Sequence, residues 1–133
     1  MTLGAYGVQM IQIIDHVAVT VRDLQETIEF YIKLGFKPGT KNESPTQTTV
    51  FLEAGDARLE ILAPKSRTSL HELGDSDQGM KHIAIKVDDI WKAYEDAKAR
   101  GIVFEGEPRR TPMGNTVAFF RDPNGVLLQL LQR

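Results

Sequence analysis

The sequence predicts an α+β fold made of two βαβββ modules in tandem, and three observations predict it. One segment repeats along the chain, strand-like alternation opens each copy, and a capped amphipathic helix follows each opening strand. The repeat is direct. Asp15-His16-Val17-Ala18-Val19-Thr20-Val21-Arg22-Asp23-Leu24 matches Lys81-His82-Ile83-Ala84-Ile85-Lys86-Val87-Asp88-Asp89-Ile90 in kind, 66 positions on. Gly35 and Gly101 keep that offset. Leu59-Glu60-Ile61-Leu62 and Leu128-Gln129-Leu130-Leu131 lie 69 apart, which a three-residue loop insertion accounts for.

Each element follows from its residues. In the opening strand His16, Ala18 and Thr20 face one way and Val17, Val19 and Val21 the other. The second copy sets His82, Ala84 and Lys86 opposite Ile83, Ile85 and Val87. Asp23, with Glu26 three residues on, caps a helix whose apolar stripe is Leu24, Ile28, Tyr31 and Ile32. Asp89 starts the matching helix, with Ile90, Tyr94 and Ala97 in its stripe. Gly35 and Gly101 stand where a helix C-cap needs left-handed backbone. Strand-like runs then cover 36–37, 48–52 and 58–62 in the first module. In the second they cover 102–104, 116–120 and 126–131. Turns fall at Ala54-Gly55-Asp56 and Asp122-Pro123-Asn124-Gly125. Module one spans about residues 13–64, a linker about 65–79 and module two about 80–132, all within one domain over 1–133. The linker, with a short helical suggestion over Ser69–Leu73, reads either as a plain connector or as part of a lid.

Composition narrows the function. The chain has 133 residues and no cysteine. Disulfide scaffolds, thiolate metal sites, Cys nucleophiles and dithiol redox chemistry are excluded together. Sixteen Lys and Arg against 18 Asp and Glu leave a formal charge of -2, which suits neither a nucleic-acid coat nor a polybasic membrane patch. The start of the chain lacks a basic segment, and Gly4, Gly7, Gln9 and Gln12 interrupt its apolar residues. No stretch approaches the ~18 apolar residues of a spanning helix. The expectation is a cytoplasmic protein with no nucleic-acid or membrane partner.

The repeat marks four polar positions at once. His16 and His82 open matched strands, and Glu60 and Gln129 occupy matched last strands, each alternating away from the bulky apolar face. Glu60 shares its face with Arg58 and Leu62. A pseudo-twofold axis between the modules would let all four side chains converge. Two imidazoles and two side-chain oxygens suit one divalent transition metal, among zinc, nickel, cobalt, manganese and iron. Alone, each histidine reads equally as a surface or hydrogen-bonded residue, and Glu60 as a solvent-facing strand carboxylate. Arg109 and Arg110 precede the seventh strand and read either as a clamp for a substrate carboxylate or as a solvated pair. Trp91, Phe119 and Phe120 read as packing residues, and His71 as a surface residue within reach of a lid role.

These residues carry a family resemblance over nearly all of Ile14 to Gln132. The two His-containing strands, and the run Phe120-Arg121-Asp122-Pro123-Asn124-Gly125-Val126-Leu127-Leu128-Gln129-Leu130, resemble the vicinal oxygen chelate superfamily, which includes glyoxalases, bleomycin-resistance proteins and extradiol dioxygenases. The resemblance implies an eight-stranded, partly closed, cup-shaped mixed sheet with helices outside. It also implies a divalent metal in the cup and a homodimer. His16, Glu60, His82 and Gln129 fall on ligand positions, with Gln129 standing where glyoxalase-like and epimerase-like members usually carry Glu. Epimerase-like members also place a Glu in a strand that here reads Thr48-Thr49-Val50-Phe51. Glu60 is then the one evident internal base, which fits a proton shuttle on one face, an elimination or an aldol-type cleavage better than a two-base epimerase. The expected function is a metal-dependent lyase or isomerase acting on a small oxygenated substrate that chelates the metal. The alternatives are a metal-free drug-sequestering protein and Fe(II)-dependent oxygen chemistry.

Overall fold

A computed structural model describes residues 10, 13–66, 76 and 78–133. The order is β1 (Val17–Thr20), α1 (Leu24–Lys33), β2 (Lys37–Glu43), β3 (Gln47–Ala54), β4 (Ala57–Pro64), β5 (Ile83–Lys86), α2 (Ile90–Ala99), β6 (Arg109–Arg110), β7 (Thr116–Arg121) and β8 (Leu127–Gln132). This is βαβββ twice. Each module forms a four-stranded mixed sheet, β1-β4-β3-β2 and β5-β8-β7-β6. The opening strand pairs parallel with the last strand, and the remaining pairs are antiparallel. The two sheets are not closed onto each other.

Matched sequence makes matched local structure. The Asp23 and Asp89 side chains accept from the backbone N–H of Glu26 and Lys92, and both helices run ten residues. Gly35 and Gly101 follow the helices with φ of +103° and +94°, where any other residue would be strained. The helix stripes differ from expectation at one point. Ile32 is exposed, whereas Thr27 is fully buried. Its hydroxyl donates to the Asp23 carbonyl and accepts from the Asn124 amide of the second module, so a polar residue is satisfied inside. The second strand of module two also differs. The strand expected at 102–104 is reduced to a single bridge from Phe104 to Phe120, and the ladder continues at Arg109–Arg110. Burial of Ile102 and Phe104 under α2, where Phe104 packs on Tyr94, takes priority over pairing.

One apolar core draws on both modules, from Tyr31, Leu52 and Ile61 to Ile90, Phe120 and Leu128. Val50, Leu52, Leu59 and Ile61 on one sheet, and Ala118, Phe120, Leu128 and Leu130 on the other, supply its walls. The alternate residues of those strands, Glu60 and Gln129 among them, therefore stand on the opposite faces. Polar bonds join the modules at the Asp122–Gly125 turn. Tyr31 Oη donates to Asp122 Oδ2 at 2.8 Å, and the Arg22 N–H donates to Asn124 Oδ1 at 3.3 Å. Burial, with the neighbouring Asp122 carboxylate, holds the Tyr31 phenol far above its ordinary pKa, so it is a permanent donor. Among the described residues no helix is long and apolar enough to cross a membrane. His71 and the 69–73 segment lie outside the described residues.

Candidate functional site

His16 ends the extended approach to β1, and β1 runs beside β4 in the register Ala18 to Glu60. Parallel pairing and two-residue alternation put His16 and Glu60 on one face. His16 Nε2 stands 3.7 Å from Glu60 Oε1. The other ring nitrogen, Nδ1, lies 2.7 Å from Asp15 Oδ2. That hydrogen bond, with Arg58 adding to it, holds the Asp15 carboxyl below its ordinary pKa, so Asp15 is an anion. Phe51, directly across from Glu60 in β3, stands edge-on to His16 with ring centres 5.5 Å apart. Arg58 lies 4.1 Å over the same ring and donates from Nη1 to Asp15 at 3.3 Å.

This arrangement has a chemical consequence. In the tautomer that donates from Nδ1 to Asp15, a neutral His16 would offer a lone pair at Nε2, beside a carboxylate that also only accepts. Two acceptors side by side are satisfied by a cation between them. A separation of 3.7 Å matches two adjacent ligands of one ion with bonds of about 2.0–2.2 Å. The donor set present thus fits a divalent transition metal.

The second module repeats the frame with other chemistry. His82 precedes β5 and stands edge-on to Phe119 at 5.6 Å. Phe119 pairs with Gln129, as Phe51 pairs with Glu60. Gln129 is nearly buried, whereas a quarter of the Glu60 side chain is exposed. Arg109 lies 6.0 Å from the Phe119 ring, on the His82 and Gln129 side, while Arg110 turns to the Gly114 carbonyl of its own loop. The two arginines thus separate, and only Arg109 borders the second half-site. Phe120 is core as expected, and Trp91 is half exposed. A crevice of about 380 Å³ runs between β1, Met80–Ile83 and Arg121–Leu127, with His82 in its wall.

Within one chain, then, the structure brings His16 to Glu60 and does not gather His82 with them. Among the described residues no three His, Asp or Glu side chains come close enough to hold one ion. Sequence reasoning placed Arg58 on the Glu60 face but assigned it no role, and passed over Asp15. The available signal was a carboxylate directly before the first histidine that the repeat replaces by Lys81.

Comparison with known proteins agrees with this frame. The description Glyoxalase/Bleomycin resistance protein/Dioxygenase superfamily matches residues 13–130. A probable lactoylglutathione lyase of Vibrio cholerae is 35% identical over 127 residues, covering 88% of each chain. A probable chloroplastic lactoylglutathione lyase of Arabidopsis thaliana is 34% identical over 122 residues, which are 89% of this chain and 35% of that protein. The chain thus spans about a third of that plant relative and most of the bacterial one. Among solved structures, a glyoxalase family protein from Enterococcus faecalis superposes with a TM-score of 0.82 at 29% identity, covering 92% of this chain and 99% of that one. A glyoxalase I mutant from Zea mays gives 0.77 at 30% identity, covering 90% and 44%.

Proposed function

The chain belongs to the glyoxalase, bleomycin resistance protein and dioxygenase superfamily, and from that premise we propose that it is a divalent-metal-dependent lyase or isomerase acting on a small, oxygenated, metal-chelating substrate. The observation that carries this is the His16–Glu60 pair, whose Nε2 and carboxylate oxygen stand 3.7 Å apart. The names of the relatives, probable lactoylglutathione lyases, supply the first activity to assay.

Each chain contributes two half-sites. His16 and Glu60 of one subunit meet His82 of the partner subunit and the partner's Gln129 in a cytoplasmic homodimer. The sheet edges support such pairing. The outer edge of the first sheet, β2, carries Pro38, Lys37 and Lys41 and a register shift between Pro38 and Lys41, all devices that discourage strand addition. The β1 edge reads Val-Ala-Val-Thr and the β5 edge Ile-Ala-Ile-Lys, without proline or a register shift. A twofold axis that sets β1 of one copy against β5 of the other uses both edges twice and closes.

A divalent ion held by His16 and Glu60 with the partner subunit's His82 and the partner's Gln129 would supply Lewis-acid polarisation of the substrate oxygens. One carboxylate in the donor set leaves the site about +1, more electrophilic than a two-carboxylate site. Glu60 takes a proton from a substrate carbon and returns it to the neighbouring carbon on the same face. Gln129, an amide, holds its position and accepts no proton. Arg109, beside Phe119, binds a substrate carboxylate at the rim.

Elemental analysis of protein purified without added metal tests the reading. One transition-metal ion per chain, lost in His16→Ala together with any formation or breakdown of lactoylglutathione, is the expected result. A folded protein that takes up no zinc, nickel, cobalt, manganese or iron overturns it, and a mass of one chain at assay concentration overturns the shared site.

A further inference from the structure

The residue ahead of each histidine separates the two half-sites. Asp15 Oδ2 receives both His16 Nδ1, at 2.7 Å, and Arg58 Nη1, at 3.3 Å. Arg58 is itself laid over Phe51 at 4.1 Å, and Phe51 meets the edge of the His16 ring. Three side chains, from the β1 approach, β3 and β4, thus brace one imidazole. In the second module His82 keeps the aromatic contact with Phe119. There Lys81 stands in the place of Asp15, and Leu127 in the place of Arg58.

We propose that Asp15 and Arg58 are a positioning pair for metal capture. Arg58 holds the Asp15 carboxylate, Asp15 holds the proton of His16 on Nδ1, and the bare Nε2 is aimed beside Glu60, so that the first module captures the cation before the second adds its donors. This rests on the metal reading above. The physical reason lies in the two tautomers. A neutral imidazole carries one N–H, and without Asp15 that proton is free to sit on Nε2, where it points at Glu60 and blocks the gap between them. A carboxylate on Nδ1 removes the competing tautomer, fixes the ring plane and raises the basicity of the other nitrogen. Arg58 serves because a flat guanidinium stacked on a ring loses little further freedom when it binds a carboxylate. The second half-site has no carboxylate directly ahead of its histidine, whose ring stands edge-on to Phe119.

The test compares wild type, Asp15→Ala, Asp15→Asn, Arg58→Gln and Lys81→Ala, each metal-free and each checked for an unchanged melting temperature. Ring-nitrogen NMR reads the tautomer, and calorimetric titration with zinc reads capture. The expected wild-type result is His16 protonated at Nδ1. Asp15→Ala moves the proton to Nε2 and weakens zinc binding about 10- to 100-fold. Asp15→Asn, which keeps an acceptor, and Arg58→Gln weaken it less, and Lys81→Ala leaves the His16 tautomer as in wild type. A wild-type His16 protonated at Nε2, or an Asp15→Ala protein with unchanged tautomer and zinc affinity, overturns the positioning pair. A wild type that takes up no zinc while His16 is protonated at Nδ1 overturns the metal reading, and the tautomer shift in Asp15→Ala then decides the pair separately.

Discussion

In the first module the histidine before β1 stands between an aspartate and a glutamate; in the second, the matching histidine follows a lysine and shares its sheet face with an amide. The backbones agree: opening strand, capped helix, glycine stop and three-stranded return. Apart from the second strand, seven residues long in module one and cut to a bridge and two residues in module two, the differences lie in side chains on the face away from the core and in the turn where the modules meet. Duplication thus preserved what each sheet needs in order to form, and let the open faces specialise. The Glu60 face is charged and partly wet. Gln129 is nearly buried, in a place where an unpaired carboxylate would carry a large desolvation cost and an amide does not.

The packing is asymmetric as well. Tyr31 of α1 reaches Asp122 of the second module, but the position that matches Tyr31 is Ala97, which has no hydroxyl to make a reciprocal bond. Asp122 also accepts from the N–H groups of Asn124 and Val126 at 2.8 and 2.9 Å, which shapes the turn. A single carboxylate therefore sets the turn and joins the modules.

Six substitutions would break or sharpen this comparison. Glu60→Gln should reduce turnover roughly 10²- to 10⁴-fold, the usual contribution of a general base, with little change in melting temperature. Gln129→Ala should alter mainly the metal affinity, and equal losses of turnover in the two variants would remove the distinction between the faces. Asp122→Ala should destabilise the fold by about 3 kcal/mol in urea unfolding, because it leaves the buried Tyr31 hydroxyl and two backbone donors without their acceptor.

Tyr31→Phe keeps the ring in the core and should cost about 2 kcal/mol, as a hydrogen bond to a charged acceptor. Its pH dependence follows from the raised phenol pKa. Above about pH 10 the unfolded chain releases the tyrosine proton and the folded chain keeps it, so stability is fully present below pH 10 and falls as pH rises. Melting curves between pH 9 and pH 11 should therefore slope down more steeply for wild type than for Tyr31→Phe, and parallel slopes would contradict the buried donor. The smallest effects belong to the shared helix caps. Asp23→Ala and Asp89→Ala should each cost about 1 kcal/mol and be nearly equal, since both caps accept one backbone N–H at about 3 Å. A large inequality would show that even the conserved frame bears unequal load.

Much of this was legible in the residues. Alternation in Val17–Val21 and Ile83–Val87, the Asp caps and the two glycines are local signals that name an element and its ends, and each element formed where they said. The strand at 102–104 was not legible, because apolar residues there fit a strand and a buried loop equally well, and only the position of α2 decides between them. At the site the repeat identified His16, Glu60, His82 and Gln129 by correspondence, and the frame of β1 and β4 brings the first two within 3.7 Å. Arg58 and Asp15 were visible as letters without a role, since their link depends on a contact between residues 43 positions apart.

The sequence by itself determined the two-module plan, the period of each strand, the helix limits and the absence of any thiolate ligand, because those depend on neighbours a few residues away. Tertiary structure decided which histidine is placed between two carboxylates, which arginine stands beside it and which turn locks the modules together. Those outcomes depend on where separate strands arrive in space, and no local pattern of residues encodes that arrival.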